Sequence, residues 1–305
     1  MFIEEYLVEL RRERFALPAL VRYAHRVGQR VRADWLANPN GVRSVWAVAI
    51  VYFAVVFLAC VGMALAWDRD LAERFLIQTA LWMLPAFAFV MLFVGHLRDE
   101  SGHRLSGLNV PLMLTLARVS LVPGIAVFLV DRHFAWAFGV YVFAALTDVL
   151  DGWLARRWRQ ITPLGTILDP LVDIVFNLTT LAGLAAANLL HAWVFWVAVL
   201  RYGILVVGAA SLYLFVGPVR VRPTWFGRMT GVIMTCLVAL FTLLVAVRGP
   251  LGAGLTRLTE IALGAMLVAT VLQVLVMGWY NLRLLTGAAK QAERVVHDVR
   301  FRPLA

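Results

Sequence analysis

Asp148-Val149-Leu150-Asp151-Gly152-Trp153-Leu154-Ala155-Arg156 and, eight residues on, Gly165-Thr166-Ile167-Leu168-Asp169-Pro170-Leu171-Val172-Asp173 place four carboxylates inside two strongly apolar segments. A bilayer tolerates an ionisable side chain only where it faces a polar cavity, a partner or an ion, so each aspartate is a functional candidate. Asp148 and Asp151 are three residues apart and share one helical face; Asp169 and Asp173, four apart, share another. Ala155 continues the first stripe with a small side chain. The link from Arg156 to Gly165 is polar and contains Pro163, which predicts a helix, a tight loop and a second antiparallel helix. Both carboxylate faces then converge near one membrane surface. Four hard oxygen donors with no Lys among them suit Mg2+ or Mn2+ better than zinc, with room for one or two ions.

Working outward, the 305 residues are 62% hydrophobic and 15% charged, far from a soluble composition. The net charge of +10 does not indicate nucleic acid, because the basic residues cluster at the ends of apolar spans. Cys60 and Cys236 lie in apolar stretches and form neither a disulfide framework nor a metal-ligand spacing. No cleaved leader is expected. The expected fold is an all-α polytopic membrane protein. Spans are predicted at about 45–67, 75–95, 111–130, 134–155, 166–190, 192–216, 229–247 and 258–285, each long enough for a hydrocarbon core of about 30 Å. Of the 28 Lys and Arg residues, 21 fall on one side, 5 on the other and 2, Arg118 and Arg201, within spans. This asymmetry puts both termini and the aspartates on the cytoplasmic side. The preponderance of Arg, with Lys290 the single lysine, points to a GC-rich bacterial source and hence to the inner membrane.

Residues 1–44 form a separate piece with eight arginines, read as one or two amphipathic helices broken near Pro18. They either lie on an anionic leaflet or pack as a cap on the loops. Residues 45–97 hold two spans without buried charge. Residues 108–286 hold six more, and 287–305 form a basic cytoplasmic tail.

The aspartate pattern resembles the signature of the CDP-alcohol phosphatidyltransferase family, Asp-x-x-Asp-Gly-x-x-Ala-Arg, eight residues, Gly-x-x-x-Asp-x-x-x-Asp, and all eight fixed positions match. The resemblance implies a six-helix catalytic core, here with two additional N-terminal transmembrane helices. It implies transfer of a phosphatidyl group from CDP-diacylglycerol to a small alcohol, with release of CMP, by a homodimer among membrane lipids. Metal binding falls to Asp148, Asp151, Asp169 and Asp173, with Asp173 also the general base. Gly152, Arg156, Thr162, Gly165 and Thr115 are implied at the CDP-diacylglycerol site.

Asn109-Val110-Pro111-Leu112-Met113-Leu114-Thr115-Leu116-Ala117-Arg118 is similar to the Asn-x-Pro-Asn-x-x-Thr-x-x-Arg opening of glycerophosphate-using members, with Leu112 in place of the second Asn. Arg118 either reaches the cytoplasmic cavity or snorkels to headgroups. Arg201, near mid-span, needs an anion: one of the aspartates or an acceptor phosphate. Arg228 resembles the Lys of a Gly-Lys-x-x-Thr element and, with Arg118, Arg201, Arg220 and Arg222, could line a basic acceptor pocket. Ile174 stands where glycerophosphate- and cardiolipin-type members carry Lys. The acceptor therefore stays open between glycerol 3-phosphate, the first choice, and serine, inositol phosphate or phosphatidylglycerol. A cation transporter is the rival class, but it favours inverted repeats and acids on broken helices at mid-membrane, and neither is present.

Overall fold

The computed structural model describes residues 2–99, 101–215 and 225–300. Its secondary structure is helical: α1 (Phe2–Arg12), α2 (Leu17–Ala37), α3 (Pro39–Ala66), α4 (Arg69–Leu92), α5 (Val110–Val130), α6 (Phe134–Arg157), α7 (Pro163–Ala186), α8 (Ala192–Phe215), α9 (Trp225–Arg248) and α10 (Ala253–Arg300), with a short 3-10 turn at Val94–His96. Eight of these helices are long and apolar enough to cross a membrane, and the chain is an all-α polytopic membrane protein. The only extended pairing among the described residues is one isolated bridge, Arg98 to Arg104.

α5 is the central helix. It packs against α4, α6 and α7, and Leu116, Val119, Val122, Ile125 and Leu129 along it are almost fully buried. Its packing with α7 is closest at Gly183, where a Cβ would lie 2.8 Å from the Ala126 Cα. The other spans bury less of their apolar surface within the chain, as expected of helices whose outer faces meet lipid.

The links alternate between two ends of the bundle. At one end Arg74 pairs with Asp131 at 3.0 Å and Trp67 stacks on His133. At the other, Asn38 donates to the Leu105 carbonyl at 2.9 Å, and Ser44 Oγ accepts from the Leu108 N–H at 3.0 Å. The acidic signature lies at this second end.

Several boundaries differ from expectation. α6 runs on to Arg157 and α7 begins at Pro163, so the connecting loop is only five residues long. α10 continues as one helix to Arg300, where a span ending near 285 and a tail were expected. The N-terminal piece is two helices broken close to Pro18, as expected: the break is at 13–16, where Arg14 and Phe15 adopt positive φ, and Pro18 sits in the first turn of α2, where its missing N–H is harmless. Of the two placements expected for this piece, the structure shows packing on the bundle. The Trp35 indole donates to the Met91 carbonyl at 2.8 Å, Asp34 lies 3.7 Å from Arg104, and Arg11 donates to the carbonyls of Tyr213 and Leu214 at the end of α8. It is a cap on the bundle, with Leu17, Val21 and Leu36 left exposed along α2.

Gly183→Ala is expected to force α5 and α7 apart and destabilise the bundle by about 1–3 kcal/mol, because the neighbour is backbone and cannot rotate away. Thermal unfolding in detergent reads this directly. Gly139→Ala, with nothing within 4 Å of the added carbon, is the control and should not lower the midpoint.

Candidate active site

The loop between α6 and α7 is built by local rules. α6 ends with Arg159 in the left-handed region (φ 52°) and the Gln160 N–H donating back to the Ala155 carbonyl at 2.9 Å. Thr162 caps α7: its hydroxyl oxygen accepts from the Gly165 N–H at 3.0 Å, and Pro163 fills the first helical position. Asn109 caps α5 through Leu112 and donates its amide to the Gln160 carbonyl at 2.6 Å. The loop is thereby fastened to the start of α5, and three helix ends meet.

On this frame the four aspartates converge from α6 and α7 on two residues of α5. Arg118 is 1% exposed. Its Nη1 lies 2.7 Å from Asp148 Oδ1 and 2.7 Å from Asp173 Oδ1, and its Nη2 donates to Asp151 Oδ2 at 2.5 Å. Thr115, equally buried, places its hydroxyl 3.1 Å from Asp151 Oδ2, 3.0 Å from Asp169 Oδ1 and 3.1 Å from the Pro111 carbonyl. One hydroxyl proton can serve only one of these acceptors at a time, so Asp151 and Asp169 compete for it. Asp148 and Asp173 have about half of their side-chain surface open, 49% and 50%, whereas Asp151 has 7%. The site is therefore graded, with two anchored carboxylates beneath and two facing outward. A cavity of about 50 Å³ runs beside it, lined by Asn109, Thr115, Asp151, Gln160, Thr162 and Asp169.

Two expectations change here. Arg118 neither snorkels nor reaches an open cavity; it is the internal counter-ion of the acidic cluster. Its partners lie 30 to 55 residues away in sequence, beyond the reach of a local spacing argument. Thr162 spends its oxygen on the helix cap, so its first role is structural.

Arg156 folds back along α6, and a Cβ on Gly152 would meet its guanidinium at 3.4 Å, an ordinary contact. Gly165 borders the capping Thr162 hydroxyl, 3.2 Å from where its own Cβ would be. Arg201 pairs with no aspartate among the described residues. Its guanidinium lies over the Tyr202 ring, 4.6 Å from the centroid, and its Nη1 is buried without a hydrogen-bond partner. Tyr202 is buried and close enough to Asp173 to feel its charge. Arg228 is exposed in the first turn of α9 and makes no ion pair with the cluster among the described residues. Arg220 and Arg222 lie outside the described residues. Gln160 and Tyr202 received no role from sequence: a loop glutamine and a span tyrosine carry no signal until the fold sets them beside the acids.

The donor set suits a hard divalent ion. Four carboxylates against one guanidinium leave a formal excess of three acidic groups, and the accessible ligands are all oxygen. Among the described residues no three such groups are already gathered around one point; Arg118 stands between Asp148, Asp151 and Asp173.

The family model for CDP-alcohol phosphatidyltransferase matches residues 108–287, more than half of the chain, covering α5 to most of α10. Among similar proteins, a CDP-diacylglycerol–glycerol-3-phosphate 3-phosphatidyltransferase of Pectobacterium atrosepticum is 43% identical over 89 residues, 28% of this chain and 47% of the relative. A cardiolipin synthase (CMP-forming) of Streptomyces coelicolor is 37% identical over 106 residues, 33% and 49%. A CDP-diacylglycerol–glycerol-3-phosphate 3-phosphatidyltransferase of Yersinia enterocolitica is 44% identical over 90 residues, 28% and 48%. The chain thus spans about half the length of these relatives.

Arg118→Ala should destabilise the protein by about 3 kcal/mol, the low end for breaking a buried pair, because only Asp151 among its partners is deeply buried. Arg118→Lys should recover part of this, and melting temperature separates the two. Gly152→Ala should fold at least as stably, since Ala favours a helix by about 1 kcal/mol and meets only ordinary contacts. A folded but inactive Gly152→Ala protein would show that the glycine serves a ligand and not the packing.

Proposed function

The chain belongs to the CDP-alcohol phosphatidyltransferase family, and we propose that it transfers the phosphatidyl group of CDP-diacylglycerol to an alcohol, best glycerol 3-phosphate, releasing CMP. The observation that carries this reading is the convergence of Asp148, Asp151, Asp169 and Asp173 on Arg118 and Thr115 at one end of the bundle. An acid-rich cavity at a helix-end surface suits a substrate whose acyl chains stay in the bilayer while its diphosphate enters the protein.

One or two Mg2+ or Mn2+ ions held by the four aspartates would offset the diphosphate charge and polarise the phosphorus under attack. The remaining work falls to the protein's own groups. Arg118 holds one oxygen of Asp173, whose side chain is half open, and the carboxylate would take the proton of the acceptor hydroxyl. The acceptor oxygen forms its bond to the β-phosphorus as the bond to the CMP oxygen breaks, and the leaving phosphate keeps that electron pair. Gly152 gives the donor close access to the helix backbone, beside Arg156. Thr162 and Gly165 fix the start of α7, and Thr115 sets the spacing of Asp151 and Asp169.

Arg201 favours glycerol 3-phosphate: its buried, partnerless Nη1 beside Tyr202 calls for a second anion near Asp173. A lipid acceptor such as phosphatidylglycerol is the second reading, favoured by the cardiolipin synthase relative and by apolar Ile174 after Asp173. Arg228 stands as a peripheral phosphate contact. The asymmetric distribution of arginine supports placing the cluster end and both termini on the cytoplasmic side of a bacterial inner membrane. The exposed apolar stripe of α2 supports its contact with the same leaflet. A homodimer follows from the family resemblance.

The test is CMP release by the purified protein with CDP-diacylglycerol, Mg2+ or Mn2+, and glycerol 3-phosphate, serine, inositol phosphate or phosphatidylglycerol in turn. Release with glycerol 3-phosphate, abolished by chelation and reduced at least about a hundredfold by Asp173→Asn, is expected. Arg201→Gln should raise KM for glycerol 3-phosphate about tenfold or more while sparing donor binding. Release with phosphatidylglycerol alone would transfer the assignment to the second reading. Failure to bind CDP-diacylglycerol would sink the transferase.

A further inference from the structure

A second cavity, of about 620 Å³, lies at the end of the bundle away from the aspartates, between the α7–α8 turn and the start of α10. Asn188 on its wall is fifteen residues beyond Asp173, or about 22 Å along the helix direction, so the two sites are separate.

The cavity is organised by a buried carboxylate with no part in the transfer chemistry. Glu260, 4% exposed, accepts the backbone N–H of His191 at 2.7 Å and faces the same residue's ring Nδ1 at 2.7 Å. The Trp193 side chain hydrogen-bonds to it as well. Trp193 is locked at its other edge against α10, where a Cβ on Gly264 would overlap its ring at 2.3 Å. With Nδ1 committed, the imidazole turns Nε2 away from Glu260, and the His191 side chain is 76% exposed. Glu260 is thus engaged by donors from His191 and Trp193. Arg257, on the cavity wall, has no ion-pair partner among the described residues. Thr256 and Asn188 add a hydroxyl and an amide. One cation, an oriented imidazole and two neutral donors beside this engaged carboxylate form a phosphate-binding set.

The surroundings indicate which phosphate. The cavity opens where three spans end, and Trp196 and Leu258 stand exposed on the flanking faces of α8 and α10. An indole at such a boundary sits at headgroup level, with apolar surface for acyl chains beside it. The volume lies within the usual range for small-ligand sites. We propose that this cavity binds the phosphate headgroup of a phospholipid from the leaflet opposite the acidic cluster. The proposal is independent of the transfer reaction.

The test is lipid retention by the full-length protein in detergent, followed by native mass spectrometry. The probes are phosphatidylglycerol, diacylglycerol with the same chains, and inorganic phosphate as competitor. The wild type should retain at least one phosphatidylglycerol that is held about tenfold more weakly in Arg257→Gln, with CMP release unchanged in that variant. Thr256→Ala is the second variant should the first fold poorly, and it should weaken the same lipid. Equal retention by the wild type and a folded variant overturns the proposal. So does retention of diacylglycerol as tight as that of phosphatidylglycerol. Complete displacement by millimolar inorganic phosphate would make this a free-anion site and overturn the lipid assignment.

Discussion

Everything at the signature end of this protein depends on one buried guanidinium. Four carboxylates cannot be brought together in a low-dielectric bundle without opposite charge, and Arg118 supplies it from the central helix, with three of the four in direct contact. The site stays under-neutralised nonetheless. In the proposed function, that residual negative charge is what would attract a cation and the diphosphate it accompanies. A fully paired cluster would hold the helices together and do nothing more.

The rest of the frame can be seen as what keeps Arg118 in place. α5 is buried on most sides, with α7 drawn against it at Gly183 and α4 packed across it through Phe75 and Gly124. The α6–α7 loop is tied to α5 by Asn109 and closed by the Thr162 cap. These contacts are made by backbone and short polar side chains. They fix the relative height of α5, α6 and α7, so that residues far apart in sequence meet within hydrogen-bond distance. The two N-terminal spans contribute through α4, whose packing shields α5 from lipid.

What could be read from the sequence followed the range of the physics. Asp148 with Asp151, and Asp169 with Asp173, are separated by single helical turns, so their shared faces, the hairpin between them and their common end were all legible. Apolar run length alone located eight spans. Arg118 was visible as an anomaly, a charge inside a span, yet its partners belong to other helices and no local period points to them. The helix break expected near Pro18 falls at 13–16, because proline is welcome in a first turn and the chain reverses just before it at Arg14 and Phe15. Arg201 is expected from its depth to need an anion, and the structure sets beside it an aromatic ring and a nitrogen without a hydrogen-bond partner, with no aspartate paired among the described residues.

The two ends of the bundle use the same device with opposite results. At the signature end a cation is buried among an excess of carboxylates, and the uncompensated charge is negative. At the other end the carboxylate, Glu260, is the buried group, engaged by the N–H donors of His191 and Trp193, and Arg257 has no ion-pair partner among the described residues. In each case the buried ion is held by short contacts to helix-borne groups, and the partners it orients include the more exposed ones. The two clusters thus lie at opposite ends of the bundle, and in each the sign of the excess charge is set by which ion is held inside.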